Sequence, residues 1–376
     1  MINTESFFHN LIYNNITFFS GVPDSLLKNI CAYISDHTDS KNHIIAANEG
    51  NALAIGIGYH LATGKLPLIY MQNSGLGNIV NPLLSLSDPE VFSIPMILMI
   101  GWRGQPSIKD EPQHKKQGRV TIEMLKTMEV PYQILSADKT NEQAEEIIQT
   151  ASNESLNNNS PYAIVVQKDT FSKYTTKNDY FSNYELSRED AIKTIVKNLD
   201  DKDILISTTG VASRELFEYR VETNQGHNKD FLTVGGMGHA NQIALGIAIQ
   251  KPNRKVFCLD GDGGALMHMG SIAINGNVEC NNFRHIVLNN GAHDSVGGQP
   301  TVGLNIDFQK IAKASGYDLV MHAKTNKEII KSMEILKKFN GKVFFEIKIR
   351  KGFRKNLGRP TTTPKKNKED FMKFIK

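Results

Sequence analysis

The sequence predicts an α/β protein built from two doubly wound parallel-sheet domains. Three observations predict it. Continuous apolar runs such as LPLIYMQ (66–72), IPMILMI (94–100) and HIVLNN (285–290) read as strands buried on both faces, as in parallel sheets. Helix-like stretches alternate with these runs, which calls for right-handed crossovers. A polar, aromatic stretch with little periodicity interrupts the alternation at 171–186, and the alternation then resumes. The expected boundaries are 1–170 for the first domain, 171–186 for a linker and 187–376 for the second domain.

The elements follow in order. Residues 1–15 space their apolar side chains like an amphipathic helix. Pro23-Asp24-Ser25 introduces a second helix through about Ile34, with Asp24 or Ser25 as its N-cap. HIIAA (43–47) is a short strand, and Glu49 to Ala62 is a tightly packed helix of small apolar residues. After the strands at 66–72 and 94–100, Thr140 to Thr150 reads as helix and PYAIVVQ (161–167) as strand. Ser187 to Asp190 is a capping box that opens the second half. There DILISTTG (203–210) is a strand ending in Thr-Gly. FLTVGGMGHANQIALGIAIQ (231–250) runs from a strand through a glycine-rich turn into an Ala-rich helix. VFCLDGDGG, HIVLNNG and KVFFEIKI supply the remaining strands. The halves share an architecture but no obvious sequence repeat.

Composition narrows the classes. Apolar and charged fractions of 40% and 22% are those of an ordinary globular protein. No apolar run is long enough to span a bilayer, and the N-terminus lacks the basic and apolar regions of a signal peptide. Cys31, Cys258 and Cys280 are widely spaced and odd in number, which fits a reducing compartment and no cysteine metal cluster. A cytoplasmic enzyme is the expectation. The net charge of +4 hides an asymmetry: from Arg350 to Lys376 ten Lys or Arg face two Asp or Glu, so this tail is about +8 and the rest about −4. Such a tail fits nucleic acid, a solvated end or an anionic active site. It lacks the aromatic interleaving that stacks bases, so no nucleic-acid partner is expected.

The stretch Gly261 to Asn290 carries the chemistry. A strand runs into Gly261-Asp262-Gly263-Gly264, a helix-like stretch follows, and a second strand ends in Asn289-Asn290. Asp262 and Asn290 then stand at the carboxyl ends of two strands of one parallel sheet, where ligands bind. A carboxylate and an amide oxygen suit Mg²⁺, and the glycines let a diphosphate approach the backbone. A Gly-Asp-Gly alone would be a tight turn; the flanking strands and the terminal Asn pair favour the functional reading. Glu49, in AANEGNALAIGIGYH, sits where an apolar strand meets an apolar helix. Partial desolvation there would raise its pKa, while the plainer reading is a helix-capping glutamate.

The Gly261–Asn290 spacing resembles the thiamine-diphosphate-binding motif. Together with GVPDS at Gly21, ANEGNA at Ala47, QNSGLGN at Gln72, DEPQH at Asp110, GGMGHA at Gly235, HDSVGGQPT at His293 and LGRPTTTP at Leu357, it makes nearly the whole chain similar to the thiamine-diphosphate-dependent decarboxylases. The linker is too short for the middle domain of the larger members, so the resemblance is to the compact phosphonopyruvate decarboxylase group. The sulfopyruvate decarboxylases share the same stretches but are commonly split into two subunits, and fusion of the halves here favours the phosphonate.

The resemblance implies two domains of the thiamine-diphosphate-binding fold, no middle domain, and the cofactors thiamine diphosphate and Mg²⁺. It implies that Glu49 promotes the imino tautomer of the pyrimidine, whose nitrogen takes the thiazolium proton, giving the ylide that attacks the substrate carbonyl. Met237 would wedge between the two rings, with backbone groups at Gly235 and Met237 on the pyrimidine edge. Thr209 and Gly210 would contact the diphosphate. The metal ligands implied are Asp262, Asn290 and the carbonyl of Ala292, completed by diphosphate oxygens and water. The substrate implied is 3-phosphonopyruvate, the product phosphonoacetaldehyde, and the role phosphonate biosynthesis, such as that of 2-aminoethylphosphonate. Active sites at a subunit interface imply a homodimer or higher oligomer.

A doubly anionic substrate needs donors and positive charge. Arg103 and His114 lie in the loop WRGQPSIKDEPQHKK, and His293, Ser295 and Gln299 follow the metal-binding turn. Ser25 and the N–H groups of its helix start form an anion site. His114 and His293 are also candidates for proton transfer, since histidine titrates near neutral pH. Lys115 and Lys116 read as solvated loop residues, and Arg354 and Arg359 as tail residues that line the site. Two other classes stay open: a different thiamine enzyme such as a carboligase, and a non-catalytic α/β nucleotide-binding protein with a basic tail.

Overall fold

The structure, a computed structural model, describes residues 1–177 and 183–376, in two compact units, Met1–Asp179 and Tyr180–Lys376. In the first, β1 (Phe18–Gly21), β2 (His43–Ile45), β3 (Pro67–Gln72), β4 (Met96–Gly101), β5 (Tyr132–Leu135) and β6 (Pro161–Val166) form one sheet in the order β2-β1-β3-β4-β6-β5. Every pairing is parallel. In the second, β7 (Ile204–Ser207), β8 (Asp230–Leu232), β9 (Val256–Gly261), β10 (Phe283–Asn289), β11 (Leu319–Ala323) and β12 (Val343–Lys348) give the order β11-β12-β10-β9-β7-β8, again all parallel. Counted within each unit and read from the β2 or β8 edge, both orders are 2-1-3-4-6-5, so the two halves share one topology despite their dissimilar sequences.

Each sheet is buried on both faces, which is why the strands read as unbroken apolar runs. Leu68 and Tyr70 of β3 join one core, and Ile69 and Met71 join the other. Phe257 and Leu259 of β9 likewise face away from Val256 and Cys258. All three cysteines are buried and unbridged. Among the described residues, no helix is long and apolar enough to cross a membrane.

Capping chemistry explains several helix starts. Thr140 and Gln143 exchange side-chain and backbone hydrogen bonds ahead of helix Asn141–Asn158. At Ser187 only half of the expected box forms. Its hydroxyl accepts the Asp190 N–H, but the Asp190 carboxylate takes the Ser187 hydroxyl proton at 2.5 Å rather than a backbone N–H.

Three expectations are corrected. The helix expected from Pro23 begins at Lys28, and its N-cap, Leu27, makes no side-chain cap. Asp24 accepts the Leu26 N–H at 2.9 Å and, on its other oxygen, the Gln72 side chain at 2.7 Å, but both bonds lie ahead of the helix, which opens only at Lys28. The loop expected through His114 gives way at Pro112, whose ring suits the first turn of helix Pro112–Thr127. Residues 171–177, placed in the linker, pack on the first unit: Phe171 is buried edge-to-face against Phe7, and Tyr174 and Thr176 donate to Asp36. Residues 178–182 of that linker lie outside the described residues, while Leu186 is buried in the second core.

The basic tail is not simply a solvated end. Residues 364–375 form an amphipathic helix that buries Phe371 against Phe231, with ring centres 5.5 Å apart. Asn367 accepts the Leu232 N–H and donates to the Asp230 carbonyl, both on β8. Replacing Phe371 by alanine is expected to cost about 3 kcal/mol and to lower the Tm by about 6–12 °C in scanning calorimetry. An unchanged Tm would mean that this helix adds nothing to stability.

Candidate active site

In the second unit the strand order reverses between β7 and β9, the point at which open α/β sheets bind ligands at the carboxyl edge. A cavity lies there. Thr208 and Thr209 reach it from the end of β7, and Gly261, Asp262, Gly263 and Gly264 from the end of β9. Asn290, Ala292, His293 and Ser295 line it from the turn after β10, and Met237 from the turn after β8. Of the residues expected in the second-half site, Gly210, Gly235, Gln299, Arg354 and Arg359 are not in the lining.

Gly210 is nonetheless next to it. Its φ of 92° and ψ of −134° are open to glycine alone in practice, and this turn starts helix Val211–Glu222. Val211 and Ala212 line the cavity, so the helix start, with its unpaired N–H groups, is presented to it. A side chain placed on Gly263 would meet His293 at 3.0 Å and the Met237 methyl at 3.5 Å, so both converge on the same glycine.

Asp262 is buried at the start of helix Asp262–Met267. Its carboxylate accepts the Thr301 hydroxyl and, at 3.4 Å, the Asn290 N–H. Burial pushes its pKa up to about 6 against these bonds. Among the described residues no Lys or Arg pairs with it. A buried carboxylate without a cationic partner, beside an amide oxygen and a helix start, fits a divalent cation together with a diphosphate. The paired asparagines divide their work. Asn289 donates to the Gly303 carbonyl and Glu346, inside the fold, whereas Asn290 faces the cavity and donates to Asp294 at 2.7 Å.

His293 does not titrate near neutral pH as expected. Burial lowers its pKa to about 4, against the pull of Asp294, so the ring is neutral at pH 7 and offers no positive charge. Gln299 is 6% exposed, and neither its side-chain oxygen nor its nitrogen has a hydrogen-bond partner among the described residues. A buried amide left unsatisfied is costly, which marks it as a group suited to a ligand.

The first unit gathers its polar residues at the equivalent edge. Glu49 is the first residue of helix Glu49–Thr63 and is 5% exposed. The cap is Asn48, whose side chain accepts the Asn51 N–H, so Glu49 is spared that duty. Asn78 donates to its Oε2 at 2.6 Å. A Cβ on Gly75 would come within 2.5 Å of the Glu49 side chain, so only glycine leaves room for the carboxylate there.

Arg103 is less available than expected. It donates to both oxygens of Asp110, at 2.8 and 2.5 Å, and to Ser25 Oγ at 2.7 Å. Burial opposes ionisation of Asp110, yet Arg103 and the N–H groups of Glu111 and Gly104 outweigh it and hold that carboxyl well below the usual range. Ser25 therefore joins Arg103 rather than a helix start, since the helix opens only at Lys28. Asp24, expected as a helix cap, is fully buried; burial raises its pKa against hydrogen bonds from Gln72 and Leu26. His114 sits in the first turn of helix Pro112–Thr127, its Nε2 3.4 Å from the Gln113 side-chain nitrogen, while Lys115 and Lys116 are exposed. In the tail, Arg354 pairs with Glu189 and Glu218 instead of lining the cavity, and Arg359 is exposed.

Sequence reading missed Thr301, Asp294, Arg188 and Glu215. The first two lie inside HDSVGGQPT, a stretch that drew attention only through His293, Ser295 and Gln299. Arg188 and Glu215 carry no sequence signal beyond a charge in a helix.

Comparison with known proteins accords with this geometry. Residues 3–126 match the family described as thiamine pyrophosphate enzyme, N-terminal TPP binding domain, and residues 209–347 match the corresponding C-terminal TPP binding domain. The chain is 31% identical over 400 residues to a phosphonopyruvate decarboxylase of Streptomyces viridochromogenes, covering 100% of this chain and 95% of the relative. A phosphonopyruvate decarboxylase of Streptomyces hygroscopicus is 30% identical over 392 residues, covering 100% and 94%. A sulfopyruvate decarboxylase of Methanosarcina acetivorans is 25% identical over 355 residues, covering 88% and 87%. That relative carries both halves in one chain, so fusion of the halves does not distinguish the phosphonate from the sulfonate substrate. With both cofactor-binding domains present and relatives matched from end to end, the chain belongs to the thiamine-diphosphate-dependent decarboxylase family.

Proposed function

We propose that this protein converts 3-phosphonopyruvate to phosphonoacetaldehyde and CO₂, using thiamine diphosphate and Mg²⁺, within phosphonate biosynthesis such as that of 2-aminoethylphosphonate. The observation that carries the reading is the end-to-end similarity to two phosphonopyruvate decarboxylases, joined to a cavity whose buried Asp262 lacks a cationic partner. Thiamine diphosphate, when bound, supplies the electron sink for the pair released as CO₂ leaves.

The chain's own residues do the rest. Asp262, Asn290 and the Ala292 carbonyl would hold Mg²⁺, and Thr209, Gly210 and the start of helix Val211–Glu222 would receive the diphosphate. Gly261, Gly263 and Gly264 leave the backbone open to it. Met237 and Gly235 would set the ring end, and Glu49, fixed by Asn78, would hold the proton shared with the pyrimidine. His293, neutral at pH 7, would donate or accept a hydrogen bond, with Ser295 and the unsatisfied Gln299 beside it. Ser25, Arg103 and His114 would meet the anionic groups of the substrate. Arg103 donates to Asp110 and Ser25 through Nε, Nη1 and Nη2, so two of its five hydrogens remain for an anion. The active form would be a homodimer or larger, with its sites at the subunit interface, working in the cytoplasm.

Sulfopyruvate is the second reading, favoured by the relative that spans both halves. Aldehyde formation from phosphonopyruvate, sulfopyruvate and pyruvate, compared side by side with Mg²⁺ and thiamine diphosphate, separates the two. The expected result is a kcat/KM for phosphonopyruvate at least about tenfold above the others, a difference of about 1.4 kcal/mol. Preference for sulfopyruvate would overturn the substrate and keep the chemistry. Bound cofactor with no aldehyde from any substrate would point to a carboligase.

A further inference from the structure

The two ends of the Asn290 amide are chemically opposite: the oxygen can ligate a cation, and the NH₂ group cannot. The surroundings distinguish them. Asp294 Oδ2 accepts the Asn290 NH₂ at 2.7 Å, and a carboxylate, which only accepts, cannot bond the oxygen end. Asn290 Oδ1 is thereby turned the other way, where it accepts the Ala292 N–H at 3.1 Å and keeps a second lone pair.

Asp294 is itself held firmly. Arg188 donates to it at 3.0 Å, and the Gly352 N–H does so at 3.0 Å. Arg188 is shared with Glu215 at 2.9 Å. The side chains of Arg188, Asp294 and Glu215 are 9%, 5% and 1% exposed, so these are charge-assisted bonds in a largely dry setting. The carboxylate oxygens of Asp294 thus meet N–H groups from Arg188, Gly352 and Asn290.

We infer that Asp294, fixed by Arg188 and Gly352, is a positioning residue that selects the oxygen end of Asn290 for the cation; this rests on Asn290 being a ligand, as proposed above. Arg188 opens helix Arg188–Lys197 and Gly352 follows β12, so segments far apart in sequence converge on one carboxylate.

Asp294→Asn tests it with little change of volume, because an asparagine can bond either end of its neighbour. Calorimetric titration of thiamine diphosphate at stepped Mg²⁺ concentrations reads the Mg²⁺ half-saturation point. The expected result is a rise of about 10- to 100-fold, the usual cost of losing a group that orients a ligand. The metal-free variant should melt lower, because Arg188 loses a buried carboxylate. The half-saturation point is therefore read below that melting temperature, where the variant is folded and a shift reports positioning alone. Asp262→Ala is run on the same titration. If it loses binding while Asp294→Asn matches the parent, the positioning role is overturned and the ligand assignment stands. If both match the parent, the ligand assignment itself is wrong. Should Asp294→Asn fail to fold, Arg188→Lys keeps the charge, removes the fork, and must shift the same half-saturation point upward; an unshifted value overturns the inference.

Discussion

Replacing Glu49 by glutamine is expected to lower kcat by about 10³-fold, within the range for loss of a positioned acid–base group, and to change the Kd for thiamine diphosphate far less. Several observations set this apart from an ordinary core substitution. The side chain is 5% exposed, its neighbour Gly75 leaves it space, and Asn78 bonds only one of its oxygens. Glutamine matches its shape and can keep the bond to Asn78 through its own oxygen. What it cannot do is hold a transferable proton. Because Asn48 performs the capping, the helix does not depend on the charge, and the fold should survive. Aldehyde release measured beside calorimetric cofactor binding tests both halves of the expectation. Near-parental turnover would remove Glu49 from the mechanism.

Replacing Asp262 by alanine should abolish Mg²⁺-dependent binding of thiamine diphosphate, a loss of at least about 100-fold given that this residue would be a direct ligand rather than a supporting group. Stability and function should part company here. In the metal-free protein this carboxyl is desolvated and lacks a cationic partner among the described residues, so its removal relieves a penalty. The metal-free variant should therefore melt within a few degrees of the parent, while the stabilisation that cofactor and Mg²⁺ give the parent should vanish. Thermal melts with and without cofactor, beside calorimetry, check this. Unchanged binding would refute the assignment.

Much of this was legible in the sequence, for reasons that also explain the failures. The long central strands β3, β4, β9, β10 and β12 are buried on both faces and announce themselves as apolar runs. Strands β5 and β11 were missed because they lie at sheet edges, are mostly half-buried, and carry polar residues such as Gln133 and His322. β1 was also missed: its residues, FFSG, follow closely on the apolar-spaced stretch read as the first helix. In the site, the Gly261–Asn290 spacing was readable because one strand–helix–strand unit carries both ends. Thr301 and Arg188, 39 and 106 residues from the carboxylates they bond, are brought in by tertiary folding alone. The N-cap expected at Asp24 failed because the helix opens only at Lys28, so the bond from the Leu26 N–H to Asp24 lies ahead of it. The tail misled in another way. Its charge is plain in the sequence, whereas the apolar stripe through Phe371 is spread among lysines.

That tail has a consequence for how copies of this chain can meet. β8 is the last strand of its sheet, and an uncovered last strand is a template on which a second chain can extend the ladder. Asn367 offers its side-chain amide to the Leu232 N–H and the Asp230 carbonyl, imitating the next strand with a single residue and ending the series there. Lysines at 365, 366, 368 and 373 surround the plug with like charge. Asn367 thus occupies the β8 groups that a further strand would use, and truncating the chain before residue 364 would bare them.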